Sequence, residues 1–194
     1  MITDAVPRAA DERREFKNSD EQRILPLPPA EPFQALCAAL KEALATGERK
    51  PAKQAALAIL VSLSTHHGIP CPKLSVLGAR PKTVHNDHSS YELFGDYTFA
   101  SQTIRLWMRT AVLGKVTSFR GFLNTLLHEY AHHVDVRALG FPNTPHTRGF
   151  YQRVDDLYHL ALATPKDERR PLVWIKSGAR YRIDWTKVRA TKKT

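Results

Sequence analysis

Residues 118–140, SFRGFLNTLLHEYAHHVDVRALG, constrain the chain more than any other stretch. Phe119, Phe122, Leu123, Leu126, Leu127, Tyr130, Ala131 and Val134 recur at i, i+3, i+4, i+7, i+8, i+11, i+12 and i+15, the apolar stripe of one amphipathic helix. Ser118 is a fitting N-cap, and Gly140 followed by Pro142 supplies the stop, so a helix of about six turns is expected. At its centre stands His128-Glu129-Tyr130-Ala131-His132, an HExxH pentad. At roughly 100° per residue, the two histidines share a face about 150–170° from the middle of the stripe. The expectation is a helix held by the core on one side, with the histidines looking out from the other. Two neutral imidazoles four residues apart hold one Zn²⁺, and Glu129 is displaced round the helix, where it reaches a water rather than the metal. That is the geometry of metal-assisted hydrolysis. The bland alternative is a solvent-facing helix with two unremarkable histidines.

At 194 residues the chain can bury a core without disulfide staples, and nothing in it demands a second large domain. Cys37 and Cys71 form no CxxC, and no secretory apolar segment follows the polar start, so a reducing, cytoplasmic location is expected. The longest apolar run, residues 55–63, is too short to span a bilayer, so no membrane partner is expected. The formal charge of +10 and pI ≈ 9.8 favour polyanionic partners, though a solvated basic face gives the same balance.

Residues 1–30 are charged and proline-punctuated with few apolar residues, and read as a disordered tail or linker. Residues 31–165 form the expected core domain and 166–194 a basic hairpin and tail. Phe33, Leu36, Cys37, Leu40 and Leu44 predict a helix over 32–46, with Cys37 a buried structural thiol. A second, nearly all-apolar helix is expected over 51–67, ending at Gly68. His66-His67 lie in its last turn, where they suit the dipole, and His85-x-x-His88 lie in a turn-rich loop. Neither pair has the helix context and intervening acid of the pentad. Residues 73–77, 91–99 and 103–109 predict a small antiparallel sheet. In the last of these, Ile104, Leu106 and Met108 face the core, while Arg105, Trp107 and Arg109 face outward. Beside an active-site helix, such a strand could take an extended peptide by strand addition.

After Gly140, Thr144 is a candidate N-cap and Pro145 a first helical residue, with Phe150, Val154, Leu157 and Ala161 keeping the stripe. A catalytic zinc takes three protein ligands and leaves one position open. The connector lets the chain reverse, so His146 is the favoured third ligand. Asp155, Asp156 and Asp135 compete, and Asp135 is better placed to orient an imidazole N–H. His133 and His159 read as structural.

HEYAHH followed by HTRGFY resembles the SprT-like zinc metallopeptidases, the group that includes Spartan. Thr103-Ile104-Arg105-Leu106 resembles the strand ahead of that family's metal helix, and the resemblance covers about residues 33–163. It implies an α+β, zincin-like core with N-terminal helices and an HExxH helix followed by a helix carrying the third ligand. It further implies Zn²⁺ on His128, His132 and His146, with Glu129 as general base and a protein or peptide as substrate. Two departures bear on substrate: Thr147 follows the third histidine where glycine is often seen, and the CxxC zinc ribbon of many members is missing. By analogy the family also raises DNA-associated proteins as substrates.

Residues 166–194 hold ten Lys/Arg against three Asp/Glu, +7 of the formal +10. Residues 172–176 and 180–184 flank Ser177-Gly178-Ala179 as an expected hairpin, with Trp174, Tyr181 and Trp185 among the cations. That interleaving suits DNA or another polyanion. Its rival is a hairpin packing those aromatics on the core. Tyr151, Arg148 and Tyr97 are candidates for stabilising an oxyanion. Two other functions compete: a nucleic-acid-binding protein whose structural zinc is closed by a fourth ligand such as Asp135, and a metal hydrolase acting on something other than peptides.

Overall fold

The computed structural model describes residues 1–85 and 89–190. It is mixed α+β. Helices α1 (Ala10–Glu21), α2 (Ala30–Ala45) and α3 (Arg49–His67) lead into β1 (Lys73–Ala79), the hairpin β2 (Lys82–His85) and β3 (Ser89–Glu92), then β4 (Gly95–Thr98) and β5 (Thr103–Arg109). The pentad lies on α4 (Phe119–Val134), which continues as a π-helical turn, Asp135–Leu139. Beyond it come α5 (Arg148–Ala161), the hairpin β6 (Trp174–Ser177) and β7 (Arg180–Ile183), and α6 (Trp185–Ala190).

The expected antiparallel sheet is instead mixed, in the order β1-β5-β4. β5 pairs parallel to β1, with Leu74 opposite Ile104 and Val76 opposite Leu106, and antiparallel to β4. The reason is topological. The segment expected as one strand over 91–99 is divided between β3, which pairs with β2, and β4. β4 takes the outer position, and β5 returns between it and β1. Trp107, expected outside, is only 9% exposed, and its amide donates to the Phe94 carbonyl.

The main core joins Phe33, Leu40, Ile59, Leu60, Leu63, Ile104, Leu106 and Met108 to the α4 stripe of Phe122, Leu123, Leu126, Leu127, Tyr130 and Val134. Each such burial contributes about 1.5–3 kcal/mol relative to exposure. Ser118 caps α4, its Oγ accepting from the Gly121 amide at 3.2 Å. The single six-turn helix is corrected at its end, where the π-helical turn stops at Gly140 with φ 73°. The histidine face is corrected too. It does not look out to solvent, because α5 lies across it and forms a second cluster of Ala131, Phe150, Tyr151 and Val154, with Leu172 and Trp174 packed against it.

The N-terminal segment is not a disordered tail. α1 buries Phe16 and Ser19, and Leu25 enters the main core. Its docking onto α5 is mostly polar, which is why an apolar pattern did not reveal it. The Arg153 guanidinium, fully buried, donates to the carbonyls of Ser19 and Gln22, and Ser19 Oγ meets Thr147 Oγ1 at 3.0 Å. Gly149 makes the approach possible, since a Cβ there would stand 2.0 Å from the Ser19 carbonyl oxygen.

The C-terminal hairpin forms as expected, with Trp174 opposite Ile183 and Gly178 turning at φ 60°. The other end of the chain meets it through one isolated antiparallel bridge between Ile2 and Arg182. Among the described residues, no helix is long and apolar enough to cross a membrane.

Candidate metal centre

α4 presents His128 and His132 one turn apart, and the loop ahead of α5 returns His146 against them. The three Nε2 atoms converge: His128 to His146 at 3.1 Å and His132 to His128 at 3.3 Å. Three nitrogens held tetrahedrally at the usual zinc–nitrogen length stand about 3.3 Å apart, so the spacing fits such an ion. Among the described residues, this is the one group of three or more His, Cys, Asp or Glu whose ligand atoms all lie within 4.8 Å of one another. Burial, reinforced by His146, pushes His128 down to about 3, and burial lowers His132 as well. Both rings are therefore held in the neutral form that a metal needs. The fully buried Phe150 ring backs all three histidines, with centroids 5.0, 4.6 and 5.1 Å from those of His128, His132 and His146.

The orientation of His132 is built from a relay. Its Nδ1 lies 2.8 Å from Thr144 Oγ1, and that hydroxyl donates onward to Asp135 Oδ2 at 3.1 Å. With its proton given to Asp135, Thr144 accepts from Nδ1–H, which leaves the Nε2 lone pair of His132 facing the cluster. Asp135 is held by Arg153 through both oxygens, at 2.7 and 2.9 Å. Burial pushes Asp135 up to about 6 against the pull of Arg153, whose two hydrogen bonds favour the ionised carboxylate. The expected orienting role of Asp135 thus runs through Thr144. Thr144 itself is not the helix cap: Thr147 is, accepting from the Phe150 amide at 3.0 Å. Instead Thr144 adopts φ 37°, a left-handed conformation uncommon for a β-branched residue, and is buried in the relay.

Glu129 is 7% exposed and lines a cavity of ≈ 490 Å³ together with the three histidines, Gly95, Asp96, Tyr97 and Tyr151. Burial, with a smaller contribution from Asp96, pushes its carboxyl up to about 8. Of the three oxyanion candidates, the structure brings Tyr97 and Tyr151 to this cavity but not Arg148, whose guanidinium pairs with Asp20 and stacks on Tyr181. Tyr97 hydroxyl meets His133 Nδ1 at 2.8 Å, and Tyr151 hydroxyl donates to the Ile2 carbonyl at 2.9 Å.

The remaining sequence candidates fall elsewhere. His133 is structural, bonding the Pro70 carbonyl through Nε2 at 2.7 Å. His67 joins Tyr130 hydroxyl and the Pro26 carbonyl. Asp155 lies 3.5 Å from His159, and Asp156 pairs with Arg169, both away from the cluster. The pair His85 and His88 touches residues outside the described ones. Sequence reasoning missed Asp4, which lines the cavity and contacts His146, and nothing in its neighbourhood signals that. It also missed Arg153, whose signal was legible: a charged residue beside Val154 on the apolar stripe of α5.

Fold and site together define an α+β protein in which three histidines, two from α4 and the third from the loop before α5 rather than from a helix as expected, lie close enough to bind a metal ion. No family model matches the chain, and neither a curated protein nor a solved structure does.

Proposed function

We propose that the chain is a zinc-dependent peptidase of the SprT-like type, with a zincin-like core, in which Glu129 is the general base. The observation that carries this reading is the convergence of three Nε2 atoms in an open cavity beside the buried Glu129 carboxyl, whose raised pKa the charge of a bound zinc would lower toward the ionised form a base needs. His128, His132 and His146 would hold the ion. When bound, zinc supplies Lewis-acid polarisation of a carbonyl and makes a water easier to deprotonate.

The chain's own residues supply the rest. Glu129 takes a proton from water at a carboxylate oxygen and returns it to the departing amide nitrogen, as attack on the carbonyl carbon breaks the C–N bond. β5, the strand expected to take an extended peptide, is paired on both sides by β1 and β4 and has no free edge. β4 is the outer strand, and Gly95, Asp96 and Tyr97 line the cavity, which supports a peptide lying beside that edge instead. Gly95 lets β4 come this close, since a Cβ would stand 2.6 Å from Thr125 of α4. The structural-zinc alternative loses Asp135 as its candidate fourth ligand, because both Asp135 oxygens are engaged by Arg153 and Thr144.

A nucleic-acid-associated substrate rests on charge and on one exposed aromatic, Trp185, which is 44% exposed. Trp174 packs on Tyr151 and Tyr181 lies under Arg148, which leaves Lys176, Arg180 and Arg182 exposed on the hairpin. An affinity for nucleic acid that did not fall with salt would remove that part. The reaction itself is tested with Glu129→Gln. This variant should keep zinc and lose peptide hydrolysis by about 10²–10⁴-fold. A variant as active as the wild type would remove the mechanism.

A further inference from the structure

The third ligand is held differently from the other two. His128 and His132 are fixed by α4, whereas His146 stands one residue before the Thr147 cap of α5, where no helical bond restrains its ring. What restrains it comes from the far end of the chain. The Asp4 amide donates to the His146 carbonyl at 2.8 Å, and the His146 amide donates to Asp4 Oδ2 at 2.9 Å. The same carboxylate oxygen lies 3.4 Å from His146 Nδ1, on the side of the ring away from the Nε2 that faces His128.

Asp4 is itself anchored. Thr3, 1% exposed, donates its amide to the Tyr181 carbonyl at 2.8 Å and accepts from the Tyr181 amide on Oγ1 at 2.9 Å. The Ile2 carbonyl takes the Tyr151 hydroxyl, and the Tyr151 ring stacks on His146 at 5.8 Å between centroids. Residues 1–4 therefore touch His146 at its amide, its carbonyl, one ring nitrogen and, through Tyr151, one ring face.

From this we infer that Asp4 is a positioning residue of the metal centre: its carboxylate receives His146 Nδ1–H and so aims the Nε2 lone pair of the third ligand at the other two histidines. Carboxylates placed behind metal-bound imidazoles fix tautomer and ring orientation in this way. Asp4 is the direct counterpart, for His146, of the Thr144–Asp135 relay behind His132. The segment of residues 1–4 thereby makes the hairpin β6–β7 part of the support for the metal site. By linkage, zinc binding should hold that segment in place as firmly as the segment holds His146.

The inference rests on the three-histidine metal site, and the experiment separates the two. Zinc affinity is measured by chelator competition on the full chain for wild type, Asp4→Ala and Asp4→Asn. His146 tautomer is read from ¹⁵N–¹H spectra of the metal-free proteins, and metal-free Tm is the control for a merely structural role. Asp4→Ala should weaken zinc binding by about 10–100-fold and move His146 away from the Nδ1–H tautomer, with little change in metal-free Tm. If Asp4→Ala does not fold, Asp4→Asn decides the matter, because it keeps an acceptor for the His146 amide while weakening the one for the ring. Zinc affinity within twofold of wild type, with an unchanged tautomer, would overturn the role of Asp4 and leave the metal site standing. A wild type that binds no zinc would overturn both.

Discussion

Replacing Thr144 by Val isolates one link of the site. Valine keeps the shape and the β-branching, so whatever strain the backbone carries at φ 37° is the same in both proteins. Only the hydroxyl between His132 and Asp135 is lost. Asp135 keeps its two bonds from Arg153, so the buried ion pair survives and the fold with it. His132 Nδ1–H, in contrast, loses its acceptor at a place where the ring is 8% and Thr144 3% exposed, too dry for easy replacement by water. A buried polar group left unpaired costs about 1–3 kcal/mol. The ring is also free to take the other tautomer, which would point a proton at the cluster.

Loss of a partner behind a metal-bound histidine typically weakens metal binding by about 10–100-fold, or about 1.4–2.8 kcal/mol at 1.4 kcal/mol per tenfold. The two figures agree because they describe one bond. Titration with zinc against a competing chelator should therefore show Thr144→Val weaker by about 10–100-fold, and Thr144→Ser, which restores the hydroxyl, close to wild type. Equal zinc affinity in Thr144→Val and wild type would refute the relay. Equal weakness in Ser and Val would remove the hydroxyl as the cause, since Ser retains it, and would assign the effect to disturbed packing at residue 144.

Two further perturbations test the frame around the site. Gly149→Ala drives a Cβ to within 2.0 Å of the Ser19 carbonyl oxygen, a backbone atom that can yield only if α1 shifts. The cost should be at least about 2 kcal/mol, lowering Tm by about 4–8 °C and exposing residues 1–29 to proteolysis. An unchanged Tm would show that α1 is not docked as described. Asp155 is pushed up to about 6 by burial, against the pull of Arg169 and with the push of Asp156. The folded state therefore binds its proton more tightly than the unfolded chain, and stability falls as pH rises from about 4 to 6. Asp155→Asn should raise stability at pH 7 by about 2 kcal/mol and leave it unchanged near pH 4. A gain of equal size at both pH values would contradict this assignment.

How much of this was legible in the sequence depends on which force placed each part. The helices over 30–45 and 49–67 follow from apolar spacing and a glycine stop, and the structure has them within two residues of expectation. The grouping of His128, His132 and His146 was legible because four-residue spacing on a helix and a short reversing connector are local facts. β1 and β5 were legible as strands but not their parallel pairing, since strand order depends on where the chain returns, and residues 82–85 and 89–92 pair with each other outside that sheet.

The N-terminal segment was misread for a different reason. Low apolar content suggested disorder, but α1 is held by one phenylalanine and a set of polar bonds: Arg153 to main-chain carbonyls, Arg148 to Asp20 and Glu15 to Asn143. None of these pairings leaves a periodic trace, because the partners lie more than 120 residues apart in sequence. The outward view assigned to the histidines failed by treating one helix as having one packed face, whereas α5 covers the second.

The central claim is an open, catalytic zinc site on three histidines. Metal content with X-ray absorption at the zinc edge tests it most directly, on the wild type and on His146→Ala. The account predicts one zinc per chain with three histidine nitrogens and one water oxygen around it, lost or weakened in the variant. No zinc, or four protein ligands with no water, would contradict it.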